Sequence, residues 1–224
     1  MFAVIFEVQP KTERWDDYLN LAKLLKPELE KIEGFIDNER FASKRTEGRL
    51  LSLSTWRDEK AVIRWRTHGI HHGVQEKGRF EIFEDYHLRV GEITADTRIP
   101  EGQVLVGQRF DETETGKAKI VTISEFSPSD GDKPTSIDLA ATLQVPKTGT
   151  NGVVDQEIFE SIYSAGKLLL LVSWRDAASA DRWQPQGIVG GSVRLRRVRV
   201  IRDYGMTDRR EAPQYYPDVG TARI

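Results

Sequence analysis

Leu50-Leu51-Ser52-Leu53-Ser54-Thr55-Trp56-Arg57-Asp58 returns 118 residues later as Leu168-Leu169-Leu170-Leu171-Val172-Ser173-Trp174-Arg175-Asp176. At that single offset residues 2–73 align with 120–191 without a gap, and 23 of the 72 pairs are identical. Unrelated sequences of ordinary composition would give roughly 6%, so the chain contains two diverged copies of one unit. Identical pairs run through the whole alignment, among them Ile5/Ile123, Glu7/Glu125, Gly34/Gly152, Phe41/Phe159, Trp65/Trp183 and Gly73/Gly191.

Working outward, each copy has the same order of elements. Residues 2–8 alternate as a strand that closes at Pro10. Residues 13–33 place Tyr18, Leu21, Leu25, Leu29 and Ile32 at helical spacing before Gly34. Residues 35–43 and 49–56 read as two strands around a turn containing Gly48. Asp58 caps a second helix through Ala61, Ile63 and Trp65, and 80–92 supplies a closing strand. The order β-α-β-β-α-β is the ferredoxin-like split arrangement. Its antiparallel sheet has helices on one face only, so the other apolar face needs a cover. The expected fold is α+β, with two tandem ferredoxin-like units forming an intramolecular dimeric α/β barrel. The units are read as 1–96 and 118–205, with a connector at 97–117, a strand expected at 104–110, and a tail at 206–224. Such a chain is a self-contained pseudo-dimer that leaves room for further homo-oligomerisation.

Composition narrows the function classes. With 38% hydrophobic and 30% charged residues and a net charge of −2, neither nucleic acid nor membrane is an expected partner. The arginines at 194, 196, 197 and 199 read as the exposed side of a strand that also carries Leu195, Val198, Val200 and Ile201. The absence of cysteine excludes disulfides, thiolate nucleophiles and cysteine-ligated metals. The apolar run at 2–6 is too short for a signal segment, which makes a soluble, cytoplasmic protein the expectation.

The segment Trp56-Arg57-Asp58-Glu59-Lys60-Ala61, then Trp65-Arg66-Thr67-His68-Gly69-Ile70-His71, with Gln75 and Gly78-Arg79, resembles the antibiotic-biosynthesis-monooxygenase family of the dimeric α/β-barrel superfamily. The resemblance covers about residues 2–93 and, more weakly, 119–204. It implies cofactor-free oxidation of quinols or phenols, or heme degradation, or a member without catalysis, and it speaks to fold more than to reaction. In the heme-degrading branch the ligating histidine lies ten residues beyond the helix-two tryptophan, where this chain has Gln75. The asparagine that branch uses on the first strand is matched here by Glu7.

All four histidines, His68, His71, His72 and His87, lie in the first copy. At the repeat offset the first three face Gln186, Val189 and Gly190, which suggests that one ancestral pocket stayed in use. His71 matches the family position and is the expected general base, with a pKa near the ordinary value of about 6.5, and His68 and His72 join it as candidates. The bland alternative is a solvated helix end, irregular around Gly69 and Gly73, where cationic imidazoles suit the dipole. Trp65 and Phe6 are the expected wall of the substrate site. Trp65 also persists as Trp183, which favours core packing.

Glu7 and Glu39 are the polar candidates for substrate binding, because Asp37, Glu39, Phe41 and Ser43 share one strand face with counterparts in copy two. The same carboxylates could instead be partners of Arg40, Arg45 and Arg49. No metal site is expected. The functional expectation is therefore an O₂-using monooxygenase of a small aromatic or quinol-like substrate with no organic cofactor. Heme binding or degradation through His71 or His72 is one alternative, and a non-catalytic ligand-binding or structural protein is the other.

Overall fold

The computed structural model describes residues 1–129, 137–187 and 189–213. In the first unit the apolar alternation forms β1 (Phe2–Pro10), β2 (Phe35–Ser43), β3 (Leu50–Trp56) and β4 (Phe83–Asp96). Their helices are α1 (Trp15–Glu30), α2 (Glu59–Thr67) and α3 (Gly69–Lys77). The second unit has α4 (Leu139–Thr142), α5 (Ala177–Arg182) and the strands β5 (Ile120–Pro128), β6 (Val153–Ser161), β7 (Leu168–Trp174) and β8 (Gly191–Gly205). The repeated start signals act alike: Asp58 accepts the Ala61 amide at 2.8 Å, and Asp176 accepts that of Ser179 at 2.7 Å. Gly34 and Gly152 lead into β2 and β6 with φ of +90° and +86°, and a Cβ at Gly34 would lie 2.7 Å from that of Ala61. No helix of the described residues is long and apolar enough to cross a membrane.

The two sheets join at both edges, so all eight strands close in the order β1-β3-β2-β6-β7-β5-β8-β4, antiparallel throughout. One seam is short, three pairs from Phe41↔Ser161 to Ser43↔Phe159. The other is long, running from His87↔Gly205 to Asp96↔Arg196. Alternate residues of each strand point inward, and Ile5, Phe41, Leu53, Ile123, Phe159 and Leu171 form one buried cluster inside the barrel. Phe2, Trp56 and Val90 face outward under the helices of the first unit. Ile120, Phe126 and Trp174 do the same in the second.

Buried charge ties the halves together. Arg89 reaches Glu7 on its own side and the Ser173 hydroxyl of the second unit at 2.7 Å. Arg196 reaches Glu125 and the Thr55 hydroxyl of the first unit at 3.0 Å. The two bridges are copies of each other: Glu7/Glu125 and Thr55/Ser173 keep the offset of 118, while Arg89/Arg196 stand 107 apart. The strand registers agree, since Phe2 pairs with Glu92 and Ile120 with Arg199.

The structure corrects five expectations. The gapless alignment fails beyond α5, because Gly69 opens α3 whereas Gly191 already opens β8. Among the described residues α3 has no counterpart, so Gln186, Val189 and Gly190 are not structural partners of the histidines; Ile188 lies outside the described residues. The segment at 69–77 is regular helix. Arg194, Arg196, Arg197 and Arg199 pair with Asp96, Glu125, Asp181 and Glu92, and Arg196 is fully buried. No strand forms at 104–110. Both edges of β4 are already taken by β1 and β8, which leaves the barrel no free edge for a ninth strand.

Among the described residues the second unit's counterpart of α1 is α4, and residues 130–136 lie outside them. Of the tail, 206–213 is described. Glu211 accepts from the Thr113 hydroxyl at 2.7 Å and from the Asp203 amide at 2.7 Å, which fastens it to the connector.

The bridges give a direct test. Removing one partner of a buried pair leaves an uncompensated charge, so Arg89→Ala and Arg196→Ala should each lower unfolding free energy by about 3–5 kcal/mol in denaturant melts. Lys44→Ala, which breaks the exposed inter-unit pair with Glu160, should cost less than about 1 kcal/mol. Equal, small losses for all three would show that the buried bridges do not hold the units together.

Candidate functional site

Between the outer sheet face of the first unit and α1, α2 and α3 lies a cavity of about 580 Å³. Two register rows make its floor. One runs Arg40, Ser52, Phe6, Leu88, Tyr204 across β2, β3, β1, β4 and β8. The next runs Asn38, Ser54, Val4, Val90, Arg202 across the same strands. The floor is thus polar at the β2–β3 side, apolar in the middle, and finished by a strand of the second unit. Tyr18, Leu21 and Leu25 of α1, Val62 and Trp65 of α2, and His71 and His72 of α3 close the walls. Arg209 and Pro213 of the tail complete the lining.

The histidines arrive by a break in the helix. His68 has φ −62° and ψ 126°, ends α2 and starts α3 in a new direction. The turn brings His71 back over Trp65, ring centroids 4.0 Å apart and planes 14° apart. The His71 Nδ1–H donates to the Trp65 carbonyl oxygen at 2.8 Å, which leaves Nε2 as an acceptor. Burial pushes the His71 pKa down to about 4, and His68 and His72 push the same way. The earlier expectation of an ordinary value near 6.5 is therefore corrected. The dipole argument reverses as well: these side chains stand in the first turn of α3, the end that disfavours a cation. His71 is a neutral imidazole at physiological pH.

His72 lines the cavity and approaches Glu76 at 3.9 Å. His68 stacks more loosely on Trp65, at 5.9 Å, with Nε2 3.8 Å from Glu28, and it does not line the cavity. The structure brings His71, His72, Trp65 and Phe6 to one cavity. Glu7 and Glu39 point elsewhere. Burial alone would raise the Glu7 pKa, but Arg89, His87 and Arg49 hold its carboxyl well below the usual range. Glu39 accepts from Ser161 at 2.6 Å and pairs with Lys167. Both carboxylates belong to ion pairs on the inner side of the strands; of the arginines the sequence offered as partners, Arg49 pairs with Glu7, whereas Glu39 takes Lys167 of the other unit.

Sequence reasoning did not single out Arg40 as a cavity residue, nor Arg202, Tyr204 and Arg209. Alternation offered the signal for Arg40: a neighbour of Glu39 and Phe41 lies on the opposite strand face. The other three line the cavity of the first unit only because the barrel closes.

The sequence model of the family described as "Antibiotic biosynthesis monooxygenase" matches residues 1–77. "Jasmonate monooxygenase ABM" of Pyricularia oryzae is 44% identical over 222 residues, 97% of this chain and 99% of that protein. "Uncharacterized protein YqjZ" of Bacillus subtilis is 30% identical over 92 residues, 41% of this chain and 78% of that one. In fold, the chain is similar to an aldoxime dehydratase solved with butyraldoxime, with a TM-score of 0.54 at 10% identity, covering 89% of this chain and 79% of that one.

Two histidines should leave opposite marks on stability. His71 resists protonation when folded, so stability falls as pH drops from about 6.5 towards 4, where only the unfolded chain takes the proton. For His87, burial lowers the pKa but the hydrogen bonds to Asp203 and Glu7 outweigh it, and the folded value is raised. Its contribution is complete below about 6.5 and is lost as pH rises through the folded value. Melting midpoints across that range should therefore lose their acid-side slope in His71→Gln and their alkaline-side slope in His87→Gln. Unchanged slopes in both variants would contradict these protonation states.

Proposed function

The chain belongs to the antibiotic biosynthesis monooxygenase family, and on that premise we propose that it is an O₂-dependent monooxygenase acting on a small, largely apolar, acidic substrate in the first-unit cavity. The observation that carries this reading is the apolar cavity beneath the neutral His71–Trp65 stack, in a chain aligned end to end with a jasmonate monooxygenase. An oxygenated fatty acid of the jasmonate kind has the apolar body such a chamber accepts, and a phenol or hydroquinone is the other substrate class it accommodates.

The electron balance separates the two classes. One oxygen atom enters the substrate, the other leaves as water, and two electrons are required. A hydroquinone supplies them itself once it loses a proton, with no organic cofactor. A saturated carbon of a jasmonate-type acid cannot, and an external two-electron reductant must supply them. In either case the walls exclude water and Phe6 and Trp65 pack the substrate body. His71 Nε2 accepts a hydrogen bond from the substrate or a bound intermediate. With a pKa of about 4 it is a weak resting base, better suited to holding a proton transiently than to storing one.

A second reading is heme binding, favoured by the same imidazole. Neutral, with Nδ1–H fixed on a backbone carbonyl, His71 is in the form that ligates iron. His71 would hold the iron, and heme, when bound, would supply O₂ activation.

Purified protein should be supplied with labelled O₂ and either jasmonic acid plus a two-electron reductant or a hydroquinone. One labelled oxygen should enter product, and His71→Ala should lower the rate about a hundredfold, the scale of a lost proton-transfer group, when assayed below its own melting midpoint. Undiminished turnover in His71→Ala, or no incorporation from either substrate, would contradict the proposal. A Soret band on adding hemin that disappears in His71→Ala would favour the second reading.

A further inference from the structure

Most arginines of the strands and of the β2–β3 turn are spoken for. Arg45, Arg49, Arg89 and Arg196 each have a carboxylate within 3 Å. Arg40 does not. It is half-buried, it stands at one end of the floor row, and among the described residues no carboxylate comes within ion-pair distance of it. Its Nη1 donates to the Tyr163 hydroxyl of the second unit at 3.1 Å and the Tyr18 hydroxyl also faces it, while its Nε is buried without a partner, as are those of Arg49, Arg89 and Arg196. Neutral phenol oxygens do not balance a desolvated cation. A guanidinium left in that condition is costly unless an anion arrives to complete it.

We propose that Arg40 binds the carboxylate of the substrate, so that the cavity selects a free acid over its ester. The inference deepens the reading above and rests on its choice of cavity. Guanidinium geometry suits the group: a planar fork meets two carboxylate oxygens at once. Beyond Arg40 the same row continues through Ser52 to Phe6 and Leu88, so an acid held there lays its apolar body along the apolar part of the floor. Trp65, Val4 and Leu88 line the cavity on that side. From β2 to β4 is three strand steps of about 4.8 Å each, a span that separates the anchored carboxylate from the carbon presented near the His71–Trp65 stack. The cavity's other cations are differently placed. Arg202 on β8 and Arg209 in the tail stand at the β8 end of the cavity, across the floor from Arg40, Arg79 covers Phe80, and Lys26 on α1 lies 4.0 Å from Glu30. Arg66 comes from α2 in the roof rather than from the floor.

Calorimetric titration of the full chain with jasmonic acid, its methyl ester and hydroquinone tests the assignment without depending on turnover. The wild type should bind the acid at least about tenfold more tightly than the ester, the scale of a charge-assisted contact. Arg40→Gln should abolish that preference while leaving ester affinity intact. Arg40→Lys should keep part of it, because charge remains but the fork does not, and it serves as the reporter should the glutamine variant fold poorly. Arg66→Gln should retain the preference.

Equal binding of acid and ester by wild type, a preference that survives in Arg40→Gln, or one lost in Arg66→Gln instead would overturn the assignment. Binding of hydroquinone but of no acid would overturn it too, and would leave the monooxygenase reading standing. Acid binding that needs Arg40 in a protein that incorporates no oxygen would keep the assignment and remove that reading.

Discussion

Two charged bridges inside the barrel decide what this chain can be. Glu7–Arg89 and Glu125–Arg196 are each buried, and each arginine sends its second terminal nitrogen to a hydroxyl of the opposite unit, Ser173 or Thr55. A buried ion pair is tolerable only when further hydrogen bonds support it. Neither unit supplies that hydroxyl to its own arginine. The apolar interior supplies the driving force for closure, while the bridges specify which faces meet and in what register. Duplication within one chain makes that meeting intramolecular.

Around this symmetric frame the outer layers diverge. The first unit keeps a long α1 and carries α3, whereas the second passes from α5 to β8 with eleven fewer residues, the difference between the offsets of 118 and 107. The lost residues are those that hold the histidines. Without α3, Trp183 packs on Trp174 and donates to the Leu143 carbonyl, which fills the space a cavity would need. In the first unit the equivalent Trp65 turns to His71 instead and becomes wall. The second unit still serves the site: β8 lends Arg202 and Tyr204 to the floor, and the tail adds Arg209.

The fold was legible because its information is local and written twice. Trp56-Arg57-Asp58 and its copy mark a strand end and a helix cap, and both act so in the structure. The paired alternation in β1 and β5 was enough to give the barrel an inside. What escaped the sequence depends on closure. Arg196 reads as an exposed arginine in a charged run, and only a strand from the other unit turns it inward. The strand expected at 104–110 has suitable residues and no edge to join. His71 was found by spacing, but its neutrality comes from burial against Trp65, a contact made by the bend at His68. Arg40 read as a partner for the carboxylates beside it, but alternation turns it to the opposite strand face, into the cavity.

The central claim is that the substrate meets a neutral His71 in the first-unit cavity. Histidine-selective nitrogen NMR measures it most directly, since all four histidines lie in that unit and only His71 and His72 line the cavity. At neutral pH the account predicts an uncharged His71 ring protonated at Nδ1, whose resonances move on titration with jasmonic acid or hydroquinone while His87 stays in place. A His71 imidazolium at that pH, or a His71 signal unmoved by either compound, would contradict it.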